Sequence, residues 1–117
     1  MWKFFSKCKL LNKPKPVVKT GTEEVVKMLV EQCCAWYEIP IQTVPEVIVY
    51  ENATETKAIY DYRADTIFVY GLGNANPGVL AHEVAHAVIH KHGKISPRMH
   101  EILAGYAEYK ITKVFKD

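Results

Sequence analysis

The chain has 117 residues, 49% of them hydrophobic and 24% charged, with a formal net charge of +2. That length holds one compact core rather than two, and that composition is globular rather than disordered. The small net charge excludes a basic nucleic-acid surface spread over the whole protein, since much of the lysine lies in the first nineteen residues, at Lys3, Lys7, Lys9, Lys13, Lys15 and Lys19.

Residues 1–19 read as a basic arm and a connector. Trp2, Phe4, Phe5, Leu10 and Leu11 are interrupted by Lys3, Lys7 and Lys9, so the arm lacks the unbroken apolar run of a signal peptide. No later stretch approaches the roughly 18 apolar residues of a membrane span, and a cytoplasmic address is the default expectation. Lysines interspersed on a terminal segment are ordinarily solvated, so no nucleic-acid partner is expected. The three cysteines, Cys8, Cys33 and Cys34, are odd in number and lack CxxC spacing. They read as reduced thiols, with Cys33 or Cys34 in the core, rather than as a disulfide framework or a zinc knuckle. Pro14 and Pro16 forbid a continuous helix and lead into a single domain over 20–117.

The domain is expected to be α+β. Thr22 is a candidate N-cap, with Glu23 and Glu24 at the positive end of the helix dipole, and Val25, Val26, Leu29, Val30, Cys33 and Trp36 recur at helical spacing as far as about residue 37. Pro40 and Pro45 bracket a turn. Three β-rich runs follow at 47–50, 58–62 and 66–70 and predict a small, mostly antiparallel sheet of three or more strands. After a loop over 71–76, Asn76 and Pro77 open a second helix that Gly93 can close, giving a span of about 77–92. Ser96 and Pro97 repeat the signal, and Ile102, Leu103, Tyr106, Tyr109 and Ile111 carry a third helix over about 97–114.

The second helix contains His82-Glu83-Val84-Ala85-His86, an HExxH sequence. Residues four apart lie on one helix face, so the two imidazoles can meet one metal ion. Glu83 lies about 100° round the helix from His82, near enough to act on a metal-bound water as general base without itself being a ligand. Leu80, Val84, Val88 and Ile89 supply the apolar side that a buried helix needs. A catalytic zinc takes three protein ligands and keeps one open position. If the second and third helices form an antiparallel hairpin, Glu101 and Glu108, seven apart on one face of the third, can both point at the second. The hairpin alone does not choose between them.

The segment from Glu101 to Tyr106 resembles the glutamate helix of the gluzincins, in which the third ligand is followed three residues later by a small residue. HExxHxxxH over His82 to His90 also resembles the ImmA/IrrE-type metallopeptidases. In size and element order the chain is similar to minimal gluzincins of about a hundred residues. The resemblance implies a zincin-like fold, Zn²⁺ held by His82, His86 and Glu101, and hydrolysis of a peptide or protein substrate. It also implies a rim strand that pairs with the substrate backbone, here 66–70 or, in competition, 58–62. Many gluzincins carry an acidic residue four after the ligand glutamate to orient a zinc histidine, and this chain has Gly105 there; Glu108 or a backbone carbonyl is left for that role.

His90 continues the histidine face by another four residues and reads as structural or as a group beside the ligands, while His92 and His100 read as surface residues. Tyr60, Tyr62, Tyr106 and Tyr109 are candidates for stabilising the oxyanion of amide hydrolysis. The competing function is a metal-binding regulatory module with little turnover, and a purely structural metal site is the third. Retention of Glu83, which metal binding does not require, favours catalysis. Self-inhibition by a terminal segment is a further expectation, through the carboxylates of the Lys116-Asp117 end or the thiol of Cys8.

Overall fold

The computed structural model describes residues 16, 17 and 19–116, with side chains through residue 114 in the last helix. The expected arm and the terminal Asp117 lie outside the described residues, and so do Cys8 and the carboxylates read as a plug. The elements in chain order are strand β1 (Pro16–Val17), helix α1 (Thr22–Tyr37), strands β2 (Glu46–Tyr50), β3 (Ala58–Asp61) and β4 (Thr66–Tyr70), a 3₁₀ turn (Leu72–Asn74), and helices α2 (Pro77–His92) and α3 (Pro97–Lys116). No helix among the described residues is long and apolar enough to cross a membrane.

The domain is α+β, as expected, but its sheet is mixed, in the order β1-β2-β4-β3. β3 and β4 form the expected hairpin, with Ile59 opposite Phe68. β2 instead runs parallel to β4, Val49 opposite Val69, the one parallel pairing in a sheet expected to be mostly antiparallel. The segment 51–57 is long enough to carry the chain past β4 before it turns back as β3. Gly71 makes that crossing possible: at φ +99° its backbone passes close to Ala53, and a Cβ there would lie 3.1 Å from the Ala53 Cα. β1 adds an antiparallel edge to β2, so the sheet draws in two residues read as connector.

α1 begins one residue earlier than the composition suggested. Gly21, at φ 86°, is its N-cap, and Thr22 is the first helical residue and is buried. The helix ends in a Schellman motif. Ile39 N–H donates to the Cys34 carbonyl at 3.0 Å and Glu38 N–H to the Ala35 carbonyl at 3.2 Å, with Glu38 in the left-handed region at φ 55°. α2 follows its sequence signals: the Asn76 side chain accepts from Val79 N–H at 3.0 Å, Pro77 starts the helix and Gly93 closes it. α3 runs two residues beyond the expected end.

One core joins these elements. Val26, Leu29, Val30 and Cys33 of α1 meet Val49, Ile67 and Val69 of the sheet and Leu80, Ala81, Val84, Ala85 and Val88 of α2. On the far side of α2, Ala104 and Ala107 of α3 are fully buried, and side chains that small bring the two helix axes together. Each large fully buried side chain, such as Leu29, Ile67 or Leu80, contributes about 1.5–3 kcal/mol. Both Cys33 and Cys34 are buried and unpaired, and burial pushes the Cys33 thiol up to about 12.

Glu38 occupies the position at which a helix terminus favours glycine, and a side chain in the left-handed region costs about 1–2 kcal/mol. Glu38→Gly is expected to raise unfolding stability by about 0.5–1 kcal/mol after the extra chain entropy of glycine is subtracted. Equilibrium denaturation in urea measures it, and a loss of stability would place the strain elsewhere.

Candidate metal centre

α2 is covered by α1, by the sheet and by α3, and its one polar strip carries His82, Glu83, His86 and His90. The strip opens into a cleft of about 410 Å³, bounded by Tyr60 and Tyr62 on the β3 side and by His100 and Glu101 of α3. Among the described residues, His82, His86 and Glu101 form the group whose ligand atoms lie close enough together to hold one ion.

The two glutamates meet the histidines on different sides. Glu101 Oε2 lies 3.1 Å from His86 Nε2, and Oε1 lies 3.5 Å from His82 Nε2. Donors about 2.0–2.2 Å from a tetrahedral zinc stand roughly 3.3–3.5 Å from one another, which these spacings approach. Glu108 Oε1 lies 2.9 Å from the opposite nitrogen, His82 Nδ1. An ionised carboxylate can only accept, so His82 Nδ1 carries the hydrogen, and in neutral His82 the Nε2 lone pair faces the carboxylate of Glu101. A lone pair set against a carboxylate is repulsive until a cation stands between them, and this donor set therefore fits a divalent metal. Glu101 thus faces the Nε2 side of both histidines, and Glu108, one turn beyond Gly105, the Nδ1 side of His82.

Glu83 reaches the backbone of β3 at Tyr60. Burial pushes its carboxyl up to about 7; His82 and the backbone N–H of Tyr60 favour the charged form, and the carboxylates of Glu101 and Glu108 oppose it. Burial holds the His86 imidazole below its ordinary value, with His82 and His100 acting in the same direction and Glu101 against them.

The expected rim strand is corrected by the topology. β4 is paired on both sides, with β2 and with β3, and has no free edge for a peptide. Among the described residues β3 is the end of the sheet and lines the cleft, so the competing choice, 58–62, is the one that borders it. Tyr70 N–H donates to the Lys57 carbonyl, and by the alternation of an antiparallel ladder the backbone groups of Ala58 and Tyr60 face outward.

Of the four tyrosines nominated for the oxyanion, Tyr62 lines the cleft with its ring on His90, at 4.9 Å between centroids. Tyr60 lines it too, but its hydroxyl donates to Asp65 Oδ1 at 2.7 Å. Tyr106 packs edge-on against Trp36 in a separate apolar hollow, and Tyr109 is exposed. His92 is exposed and borders that hollow, whereas His100 is not the surface residue it was read as: its Nδ1 is 3.2 Å from His86 Nδ1. Its position directly before Glu101 was the available signal.

A second network lies outside the sequence reading. Asp65, in the β3–β4 turn at φ 49°, accepts from Tyr60 and pairs with Lys91 at 2.9 Å. The Lys91 ammonium also donates to the Thr43 carbonyl at 2.8 Å. The edge strand is thereby tied to the last turn of α2. The Asp65–Lys91 and Lys91–Thr43 contacts join residues 26 and 48 positions apart, beyond the reach of a local motif.

His82→Ala, His86→Ala and Glu101→Ala are each expected to abolish stoichiometric Zn²⁺ binding, measured by competition with a chromophoric chelator. Glu108→Ala is expected to weaken it about 10–100-fold while leaving the stoichiometry at one. A greater loss from Glu108→Ala than from Glu101→Ala would exchange the two roles.

Compared with protein-family models, with curated proteins and with solved structures, the chain finds no match in any of the three.

Proposed function

We propose that the protein is a zinc-dependent peptidase of the gluzincin kind, with a zincin-like fold, His82, His86 and Glu101 as metal ligands and Glu83 as general base. The observation that carries this reading is the convergence of two imidazole nitrogens and one carboxylate in a cleft that also holds a separate carboxylate, Glu83, and a free strand edge. Zinc bound there would supply a water of lowered pKa and an electrophile for the substrate carbonyl.

The chain's own residues account for the rest. Glu83 takes the proton of the attacking water and returns it to the departing amine, a part for which its place one residue after His82 and outside the ligand set is suited. The outward backbone groups of Ala58 and the Tyr60 carbonyl are left to pair with an extended peptide, the Tyr60 N–H being taken by Glu83, so the substrate is held by its main chain. Asp65 and Lys91 keep that edge at a fixed height above α2.

The alternative, a metal-binding module with little turnover, draws support from the openness of the cleft, in which the Glu101 side chain is 67% exposed. Glu83 tells against it, because a site that only binds metal has no use for a carboxylate next to the ligands and outside them.

Glu83→Gln separates the two readings. The variant is expected to keep one zinc per chain by elemental analysis and to lose about 10²–10⁴-fold in the rate of hydrolysis of unstructured peptides. Undiminished hydrolysis by the variant, or purified wild-type protein without zinc, would refute the peptidase reading.

A further inference from the structure

We infer that His100 is the positioning residue of His86: in the zinc-loaded protein its Nδ1 accepts the Nδ1–H of His86, which leaves the His86 Nε2 lone pair for the metal. The inference rests on the zinc reading above and adds a residue that neither the HExxH sequence nor the glutamate helix designates.

The two Nδ1 atoms are 3.2 Å apart and the rings lie nearly parallel, at 19° with centroids 5.4 Å apart. A nitrogen–nitrogen contact of that length needs a hydrogen on one side and a lone pair on the other. If His100 were the donor, the hydrogen of neutral His86 would sit on Nε2, 3.1 Å from Glu101 Oε2, and would block the nitrogen that faces the metal position. If His86 is the donor, its Nε2 lone pair joins that of His82 and the oxygens of Glu101. Three acceptors then converge with no donor among them, the arrangement that a cation satisfies.

His82 supplies the parallel. Its Nδ1–H is held by Glu108 and its Nε2 faces Glu101, so each histidine of the pair has one nitrogen toward Glu101 and the other toward a partner on α3. For His82 that partner is a carboxylate and for His86 an imidazole. The backbone makes the His100 placement firm. Ser96 Oγ accepts from Met99 N–H at 3.2 Å and the Ser96 carbonyl accepts from His100 N–H at 3.0 Å, which fixes the first turn of α3 and the backbone from which the ring leaves. An outer partner of a ligand histidine typically contributes 10–100-fold to metal affinity.

The experiment uses Zn²⁺ itself, by chelator competition, on wild type, His100→Ala and His100→Asn, with histidine ¹⁵N spectra of the zinc-loaded full chain. His100→Ala is expected to bind zinc about 10–100-fold more weakly, and His100→Asn, whose amide oxygen can accept in place of Nδ1, to recover most of that loss. The wild-type spectrum is expected to place hydrogens on His86 Nδ1 and His100 Nε2, with a scalar coupling across the N–H···N contact. Unchanged affinity in His100→Ala, or a hydrogen on His100 Nδ1, overturns the inference while leaving the zinc reading in place. Wild-type protein that binds no zinc overturns both and is told apart by that result. If His100→Ala does not fold, the wild-type spectrum and the Asn variant still decide.

Discussion

A helix covered on three sides keeps polar side chains only along the strip that remains, and α2 is in that position. Leu80, Ala81, Val84, Ala85, Val88 and Ile89 are buried against α1, the sheet and α3, so the polar residues between them have one direction left. Burying an unpaired imidazole or carboxylate costs several kcal/mol. The strip therefore has to be an opening, and the cleft lies along it. The raised carboxyl of Glu83 and the lowered imidazole of His86 follow from the same cause, partial removal from water by the apolar walls on either side.

α3 then supplies the partners for that strip. In an antiparallel hairpin, moving along α2 from His82 to His86 moves the facing residue on α3 back from Glu108 to His100 and Glu101. Ala104 lies between those two levels and is fully buried, so the helices approach closely just where His82, His86 and Glu101 meet. Two constraints share one helix face: small residues for contact, and long polar residues one turn to either side that reach across it. Gly105 falls on the exposed side of this face, and Glu108, a turn further on, has the reach to accept from His82 Nδ1.

The sheet contributes position rather than chemistry. Because β4 is held on both sides, β3 is left with a free edge above α2, and the Tyr60–Asp65–Lys91–Thr43 network fixes its height. An ion pair of this partial exposure adds little to global stability. Its effect is local, since it restrains the strand whose backbone N–H faces Glu83.

The sequence by itself determined the helices and the shared face of His82 and His86. Those features are local: a cap and a proline set the start of α2, a glycine sets its end, and the four-residue spacing of His82 and His86 fixes their common direction whatever surrounds them. The α+β class and the β3–β4 hairpin were legible for the same reason. The parallel pairing of β2 with β4, which strand ends the sheet beside the cleft, the different histidine nitrogens that Glu101 and Glu108 face, and the place of His100 were decided only by the tertiary structure. Each depends on which residues far apart in the chain come opposite one another, and that register is set by how tightly Ala104 and Ala107 let α3 lie on α2 and by where the segment 51–57 crosses, not by the pattern of any one element.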